Sequence, residues 1–187
     1  PAASGLGADY FGPASLTQLL HPALIVLARE VDELVHLGIL NGDRVIYVDK
    51  VEPDKAIRVW SQVGRNASAA TTSLGRAILA YRPIPDDHLD AYAPSEAAAA
   101  QLRDAVAAAR ERGYATEIEE NAPGIACLGV PLLSNGGAIA ALSVTMLASH
   151  VDDQRLAEVA ARIAELVPPR LPENVELPAA LMLARPH

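Results

Sequence analysis

The sequence predicts an α+β domain in which helices pack on an antiparallel sheet. Asn41-Gly42 and Asn135-Gly136 each stand between two runs of apolar residues, which is the pattern of a β-hairpin. Stretches with one apolar face at helical spacing stand before, between and after these hairpins. Because hairpins rather than strand–helix–strand units join the strands, the sheet is predicted to be antiparallel.

The chain of 187 residues suits one domain with a tail. Residues 1–13 contain few large apolar side chains and are predicted to be a flexible lead-in, and residues 14–167 are predicted to form the folded domain. Residues 168–187 are predicted to be an extended, Pro-rich tail, because prolines recur too often for a long helix. Apolar residues such as Leu177 and Leu181 would allow that tail to dock on a partner surface.

Charge and cysteine content exclude several classes of protein. The net charge of −8 lacks the basic face by which nucleic-acid binders hold phosphate groups. No apolar run reaches the roughly 18 residues of a membrane span. A single cysteine excludes a disulfide framework and a Cys-rich zinc module. With one thiol and no recognisable signal peptide, we expect a cytoplasmic protein.

The first half of the chain is predicted to form a helix, a hairpin and a third strand. Apolar spacing predicts a helix over 14–31, which Pro22 would kink or divide into two. A two-residue Asn41-Gly42 loop would place Leu37 opposite Ile46 and Val35 opposite Val48. The segment 56–63 is predicted to be the third strand, followed by a loop over 65–71.

The second half is predicted to be richer in helices. A short helix should begin near Thr72, where Thr71, Thr72 and Ser73 all offer capping oxygens. A second short helix is predicted over 86–92, and a long Ala-rich helix from Ser95 to Gly113. A strand over 114–119 and a final helix over 152–167 complete the pattern.

The register of the second hairpin decides which side chains share a face of the sheet. A three-residue loop over 135–137 places Cys127 opposite Thr145 and Gly129 opposite Ser143, whereas a two-residue loop would place Leu128 opposite Ser143. We prefer the first register because it separates a bulky face from a face of small and weakly polar groups. That small face could line a ligand site, or it could simply pack beneath a helix.

Other chemical signals in the sequence are weaker. The segment from Thr71 to Gly75 opens a helix and could be an anion site or an ordinary N-cap. A metal site assembled from His36, Cys127 and a carboxylate stays open, and a buried, inert cysteine is the alternative. The acidic run Glu117, Glu119 and Glu120 could pair for acid–base chemistry or be a solvated edge. Nucleotide-binding, zinc-protease and serine-hydrolase motifs are absent, so no cofactor or metal is predicted.

Several segments together resemble a known family of bacterial regulators. They are VHLGILNGDRVIYVDKVE from Val35, SLGRAILA from Ser73, Arg-Gly-Tyr from Arg112, EENAPGIACLGVP from Glu119 and AALSVT from Ala140. In this order and spacing they resemble the effector-binding domain of IclR-type transcriptional regulators, over about residues 14–167.

This resemblance implies a GAF-like domain that binds a small organic acid or aromatic metabolite and is not an enzyme. It also implies a homodimer or homotetramer, and DNA contact only through a winged helix-turn-helix domain that this chain lacks. Carried over motif by motif, the implied ligand-binding residues are Thr72, Ser73, Leu74, Gly75, Glu117, Cys127, Ser143 and Thr145.

The sequence departs from the family pattern in three places. Arg76 stands where lysine is usual, Glu117 replaces the commoner aspartate, and the second hairpin loop is about one residue shorter. Two other functions stay open at this point. One is a GAF-like enzyme that acts through Cys127, and the other is a dimerisation module without a ligand.

Overall fold

The structure is a computed structural model that describes residues 13–55 and 62–183. Its six-stranded sheet has the order β3-β2-β1-β6-β5-β4, and all the neighbouring strands pair antiparallel. The strands are β1 (Leu34–Asn41), β2 (Arg44–Val51), β3 (Asn66–Ser68), β4 (Ala115–Ile118), β5 (Ile125–Ser134) and β6 (Gly137–Leu147). The helices are α1 (Pro13–Val31), α2 (Ser73–Ala80), α3 (Glu96–Arg112), α4 (Asp153–Leu166) and α5 (Ala179–Leu183). The predicted α+β architecture is confirmed.

The two faces of the sheet carry separate hydrophobic cores. On one face, α1 and α4 pack on the bulky side chains of β5 and β6, as the predicted segregation requires. On the other face, α2 and α3 pack on small residues such as Ala115 and Ala141. Fully buried residues of the first core include Leu24, Leu27, Leu128, Val130, Val144 and Ile163. The small-residue face therefore lies beneath α2.

The second hairpin has the predicted pairing but a different loop. Cys127 faces Thr145 and Gly129 faces Ser143, as predicted. The turn itself has only two residues, Asn135 and Gly136, both with positive φ. A register shift beside Leu132 inserts one extra residue and restores the pairing further along the strands. The bulge therefore supplies the extra residue that we had predicted to lie in the hairpin loop.

The register predicted for the first hairpin is wrong. Ile39 faces Ile46, because the turn is Gly42-Asp43 and Asn41 already pairs with Arg44. Gly42 takes a φ of 60°, a left-handed value that glycine adopts without strain. A register shift between Leu37 and Gly38 then places Val35 opposite Val51.

Two other predicted elements differ from the structure. Most of the predicted third strand, 56–61, lies outside the described residues, and Val63 lies in a turn. The observed β3 falls within the segment predicted to be a loop, because it continues the pairing along β2. Helix α1 runs without a break past Pro22, and the buried Leu20 and Leu24 on either side of this proline hold it against the sheet.

The predicted helix ends are confirmed in three places. Thr72, Ser95 and Asp152 are the N-caps of α2, α3 and α4, and each side-chain oxygen accepts a backbone N–H from the first turn. Gly113 ends α3 with a φ of 80°. Asp86–Tyr92 is a 3₁₀ helix. None of the described helices is long and apolar enough to span a membrane.

The residues after α4 dock on the domain, where we expected an extended tail. Glu176 exchanges two backbone hydrogen bonds of 2.9 Å with Leu133 of β5. Val175, Leu177 and Leu181 are buried in the core beneath α4, and the short helix α5 forms despite the surrounding prolines. The apolar side chains that suggested docking therefore bind this chain's own sheet.

Helix α2 lies unusually close to the sheet and to the loop before it. A Cβ atom placed on Gly129 would come within 2.5 Å of the Ser73 carbonyl oxygen. A Cβ atom placed on Gly75 would come within 2.3 Å of the Ala69 backbone. Since backbone atoms cannot swing away as flexible side chains do, both positions require glycine.

The substitution Gly129→Ala should therefore lower the free energy of unfolding by about 3 kcal/mol, the upper part of the usual cost of overpacking. Urea denaturation measures this loss. Gly137→Ala is the matched control, because its Cβ would meet no atom nearer than 3.8 Å. The control should change stability by less than about 0.5 kcal/mol. Equal stability of the two variants would contradict the close packing of α2 on β5.

Candidate functional site

Polar side chains collect on the face of the sheet that α2 covers. They come from five strands that are consecutive neighbours in the sheet, β2-β1-β6-β5-β4. Most are almost fully buried, with 1% of Glu117, 2% of Ser143, 4% of His36 and 5% of Thr145 exposed. The full set is His36, Tyr47, Glu117, Cys127, Ser143 and Thr145. A sheet face this deeply buried is normally apolar, so this cluster marks the candidate site.

The start of α2 adds backbone donors to this cluster. Thr72 caps the helix: its hydroxyl accepts the Gly75 N–H at 3.2 Å and donates to the Ser68 carbonyl at 2.9 Å. The next N–H, that of Arg76, donates to the Thr72 carbonyl at 3.0 Å. Within the described chain, the N–H groups of Ser73 and Leu74 make no hydrogen bond. These two N–H groups, and not that of Gly75, are the ones that an anion could use.

The structure brings most of the predicted residues to one place. The Ser73 side chain, at the helix start, is among the groups that act to lower the pKa of the Cys127 thiol, although burial outweighs them. Cys127 also contacts Thr145, with 3.4 Å between Sγ and Oγ1. Leu74 and Gly75 belong to the site through their backbone only, since the Leu74 side chain is buried toward Gly38.

Glu117 is a buried carboxylate. The interpretation of the acidic run as a solvated edge is therefore wrong for this residue. Its Oε1 accepts the N–H groups of Glu120 at 2.7 Å and Asn121 at 2.9 Å. Burial raises the pKa of Glu117, while these two backbone hydrogen bonds act in the opposite direction. Glu119 lies outside β4, where its exposed carboxylate accepts the Gly124 N–H. The two carboxylates therefore do not form an acid–base pair.

Arg76 holds the turn that supports Glu117. Its side chain is buried, and its Nε donates to the Ala70 carbonyl at 2.8 Å. Its other nitrogens donate to the Thr116 carbonyl at 3.1 Å and to both carboxylate oxygens of Glu120 at 2.7 and 2.5 Å. This fork-like pairing is one that lysine could not reproduce. Arg76 thus ties α2 to β4 beside the site.

His36 and Tyr47 belong to the polar cluster, although the sequence did not point to them as ligand-site residues. The His36 Nδ1 lies 3.3 Å from the Thr145 Oγ1, and the Tyr47 ring meets the imidazole edge-on at a centroid distance of 4.9 Å. The alternation of β1 could have found His36, which pairs directly with Ser143. Among the described residues, no group of three side chains could hold a metal ion, so the His36–Cys127 metal site is not formed.

Apart from Glu117, the titratable groups of the cluster are neutral near physiological pH. Burial, together with the charge of Lys50, lowers the pKa of His36 to about 4. Burial raises the pKa of the Cys127 thiol and of the Tyr47 hydroxyl to about 12 each. The cluster therefore offers neutral donors and acceptors and one carboxylate.

The Ser143 hydroxyl differs from its neighbours because it makes no hydrogen bond within the described chain. Every described side-chain nitrogen or oxygen that is completely shielded has a hydrogen-bond partner. The Ser143 oxygen therefore still borders accessible space, although only 2% of the residue is exposed. It is the hydroxyl best placed to meet a ligand.

Two surface cavities lie away from this cluster. One, of about 570 Å³, lies between the docked tail and the second hairpin and is lined mainly by apolar residues such as Leu171 and Met182. The other, of about 490 Å³, lies beside the first hairpin turn and includes His88 and Tyr92. Neither cavity touches the six polar side chains of the cluster.

The family model for the bacterial transcriptional regulator IclR C-terminal domain matches residues 8–167. The chain belongs to the IclR family. The resemblance seen in the sequence is confirmed, and the chain corresponds to the family's C-terminal domain.

Individual relatives agree with this assignment. The HTH-type transcriptional regulator XynR of Escherichia coli K12 is 33% identical over 157 residues, which cover 78% of this chain and 62% of XynR. The regulator Rv1719 of Mycobacterium tuberculosis is 35% identical over 140 residues, covering 70% of this chain and 53% of Rv1719. The chain thus spans less than two thirds of each relative. Both are named as regulators, in agreement with the expectation that the chain is not an enzyme.

Solved structures show the same fold. The IclR protein of Thermotoga maritima superposes with a TM-score of 0.71 at 28% identity, covering 81% of this chain and 65% of that protein. The C-terminal domain of E. coli KdgR gives a TM-score of 0.68 at 25% identity, covering 81% of this chain and 93% of that domain. The second match shows that the fold described here corresponds to nearly the whole of a C-terminal regulator domain.

The neutral, buried state of His36 predicts how stability depends on pH. The unfolded chain binds a proton at this histidine below its ordinary pKa of about 6.5, whereas the folded chain does so only below about 4. Stability should therefore fall as the pH is lowered through this range, by about 3 kcal/mol from this group. The substitution His36→Asn removes that contribution, so its pH profile should be flatter between these limits.

Urea denaturation at a series of pH values measures the difference. His150→Asn, the same substitution at an exposed histidine outside the polar cluster, is the matched control. Parallel profiles for the wild type and His36→Asn would contradict the burial of a neutral imidazole in the site.

Proposed function

We propose that this chain is the ligand-sensing part of an IclR-family transcriptional regulator, and that it binds a small organic acid or aromatic metabolite beneath α2. The observation that carries this proposal is the convergence of polar groups from neighbouring strands and from the α2 start on one buried face. Regulators of this family bind small-molecule effectors and oligomerise, which supports a ligand at such a site.

The groups at the site suit a ligand of limited charge. A carboxylate or carbonyl oxygen would accept hydrogen bonds from the free N–H groups of Ser73 and Leu74 and from the Ser143 hydroxyl. A hydroxyl or amino group on the same ligand would donate to Glu117. The only charged group of the cluster is that carboxylate, so a monoanion or neutral ligand fits better than a dianion.

The remaining expectations form part of the same proposal. DNA contact would come from a winged helix-turn-helix domain outside this chain, and the protein would be a cytoplasmic homodimer or homotetramer. The predicted lead-in over 1–13 and sensing domain over 14–167 belong to it as well, and the segment that follows packs on that domain as described above. Ligand binding would change DNA affinity only through unequal affinity for two arrangements of the full-length protein.

Catalysis through Cys127 is disfavoured by the chemistry of the site. A nucleophilic cysteine needs a lowered pKa and a base that takes its proton. Burial instead raises the pKa of Cys127 to about 12. A dimerisation module without a ligand makes a different prediction, namely that no metabolite stabilises the domain.

Calorimetric titration tests the proposal with pyruvate and glyoxylate as keto acids, 4-hydroxybenzoate as an aromatic acid and propionate as a short-chain acid. For any member that binds, Ser143→Ala should weaken affinity about tenfold to a hundredfold, the usual effect of losing a hydrogen bond to a charged group. Ser134→Ala, at the end of β5 in the hairpin, is the matched control and should bind like the wild type.

A bound ligand should also raise the thermal midpoint in proportion to the logarithm of its concentration. If the chain is verified to be folded, and no class of acid binds or stabilises it, the sensing proposal is overturned. Unchanged affinity in Ser143→Ala would place the ligand elsewhere.

A further inference from the structure

Four polar side chains of the cluster form a continuous row across adjacent strands. His36 lies on β1, Thr145 on β6, Cys127 on β5 and Glu117 on β4, which is also the order of these strands in the sheet. The first contact is 3.3 Å between His36 Nδ1 and Thr145 Oγ1, and the second is 3.4 Å between Thr145 Oγ1 and Cys127 Sγ. Cys127 and Glu117 are direct cross-strand partners on the same face of the sheet, and a hydrogen bond from the thiol is among the effects that act to lower the pKa of Glu117. The row thus joins an imidazole to a buried carboxylate.

Counting protons restricts how these contacts can be made. Thr145 and Cys127 carry one proton each, and their hydrogens rotate about the C–O and C–S bonds, so either atom can donate to the other. A neutral imidazole donates at one ring nitrogen and accepts at the other. If each contact is a hydrogen bond, the protons must all point toward Glu117 or all point toward His36.

The chemistry of Glu117 favours the first direction. Its Oε1 already accepts two backbone N–H groups, an arrangement that suits an ionised carboxylate. An ionised carboxylate is the strongest acceptor in the row and cannot donate, so the Cys127 S–H must point to it. The Cys127 sulfur then accepts the Thr145 hydroxyl, and Thr145 is left to accept from His36.

We propose that these four side chains form one directional hydrogen-bond chain that runs from His36 Nδ1–H through Thr145 and Cys127 to the Glu117 carboxylate. His36 is the positioning residue that donates into the row, and the Tyr47 ring packs edge-on against it. The consequence for selectivity rests on the proposed function. The Thr145 and Cys127 protons both point along the row. A ligand oxygen must therefore accept hydrogen bonds from Ser143 and from the N–H groups at the α2 start, and not from Thr145.

A ligand hydroxyl or ammonium group that reaches Glu117 would compete with the Cys127 thiol for the carboxylate. The released S–H would then turn to Thr145 and the Thr145 hydroxyl would turn to His36, whose ring proton would leave Nδ1 to water while Nε2 takes one up, so that Nδ1 can accept. The row therefore tolerates a ligand that donates to Glu117, because every member keeps a hydrogen bond after the reversal.

The tautomer of His36 tests the direction of the row in the ligand-free protein. Two-bond ¹H–¹⁵N spectra of the histidine rings at about pH 7 distinguish Nδ1–H from Nε2–H, and loss of one ring signal in His36→Asn assigns the residue. The wild type should show Nδ1–H. Cys127→Ser should show the same, because a hydroxyl can both accept and donate.

Cys127→Ala is the decisive variant. It removes the link to Glu117 and leaves His36 as the acceptor for the Thr145 hydroxyl, so the tautomer should change to Nε2–H. A merely structural role for Cys127 would not move this signal. Nε2–H in the wild type, or Nδ1–H retained in Cys127→Ala, would overturn the proposal. Because no ligand is present, this result and that of the titration panel are independent of each other.

Discussion

The candidate site depends on the close contact between the α2 start and β5. Gly129 has no side chain, so the Ser73 carbonyl can lie where a Cβ atom would otherwise be. This contact brings the free N–H groups of Ser73 and Leu74 over β5. With a larger residue at position 129, the helix would lie farther from the sheet and its backbone donors would be separated from the hydroxyl groups below.

A second constraint keeps a carboxylate buried beside this contact. A buried acidic group is unfavourable unless its oxygens accept hydrogen bonds. Arg76 binds Glu120 and thereby holds the turn whose N–H groups bind Glu117. The arginine does not touch Glu117, so the carboxylate is supported without a neutralising partner and remains available to a ligand donor. The opposite face of the sheet carries the larger apolar core, which stabilises the domain independently of these polar groups.

The sequence predicted the site best where one physical requirement dominated. The pairing of Cys127 with Thr145 followed from separating bulky from small side chains. The structure keeps that separation by means of a bulge, which no residue type in the sequence predicts. In the first hairpin both registers bury apolar residues, so the pattern could not decide, and the preference of Gly42 for a left-handed conformation moved the turn by one residue.

Depth of burial was harder to predict than the face on which a residue lies. The family resemblance placed Glu117 in one site with Cys127, but whether this part of the sheet is solvated depends on α2, α3 and the Arg76–Glu120 pair, which are distant in sequence. His36 was considered only as a metal ligand, because its neighbours in the site become apparent only once β1 is known to pair with β6. Single-sequence patterns carry no information on the order of non-consecutive strands.

The sheet also connects the site to the helices on its other face. On β1, His36 points into the site while Val35 and Leu37, both fully buried, pack in the opposite core. The neighbouring strand β2 contacts α1 through the pair of His21 and Asp49, 2.7 Å apart. Because side chains on the two faces share one backbone, a shift of β1 that improves contact with a ligand must also shift the residues that pack against α1. Ligand binding beneath α2, as proposed, would therefore be coupled to the position of α1.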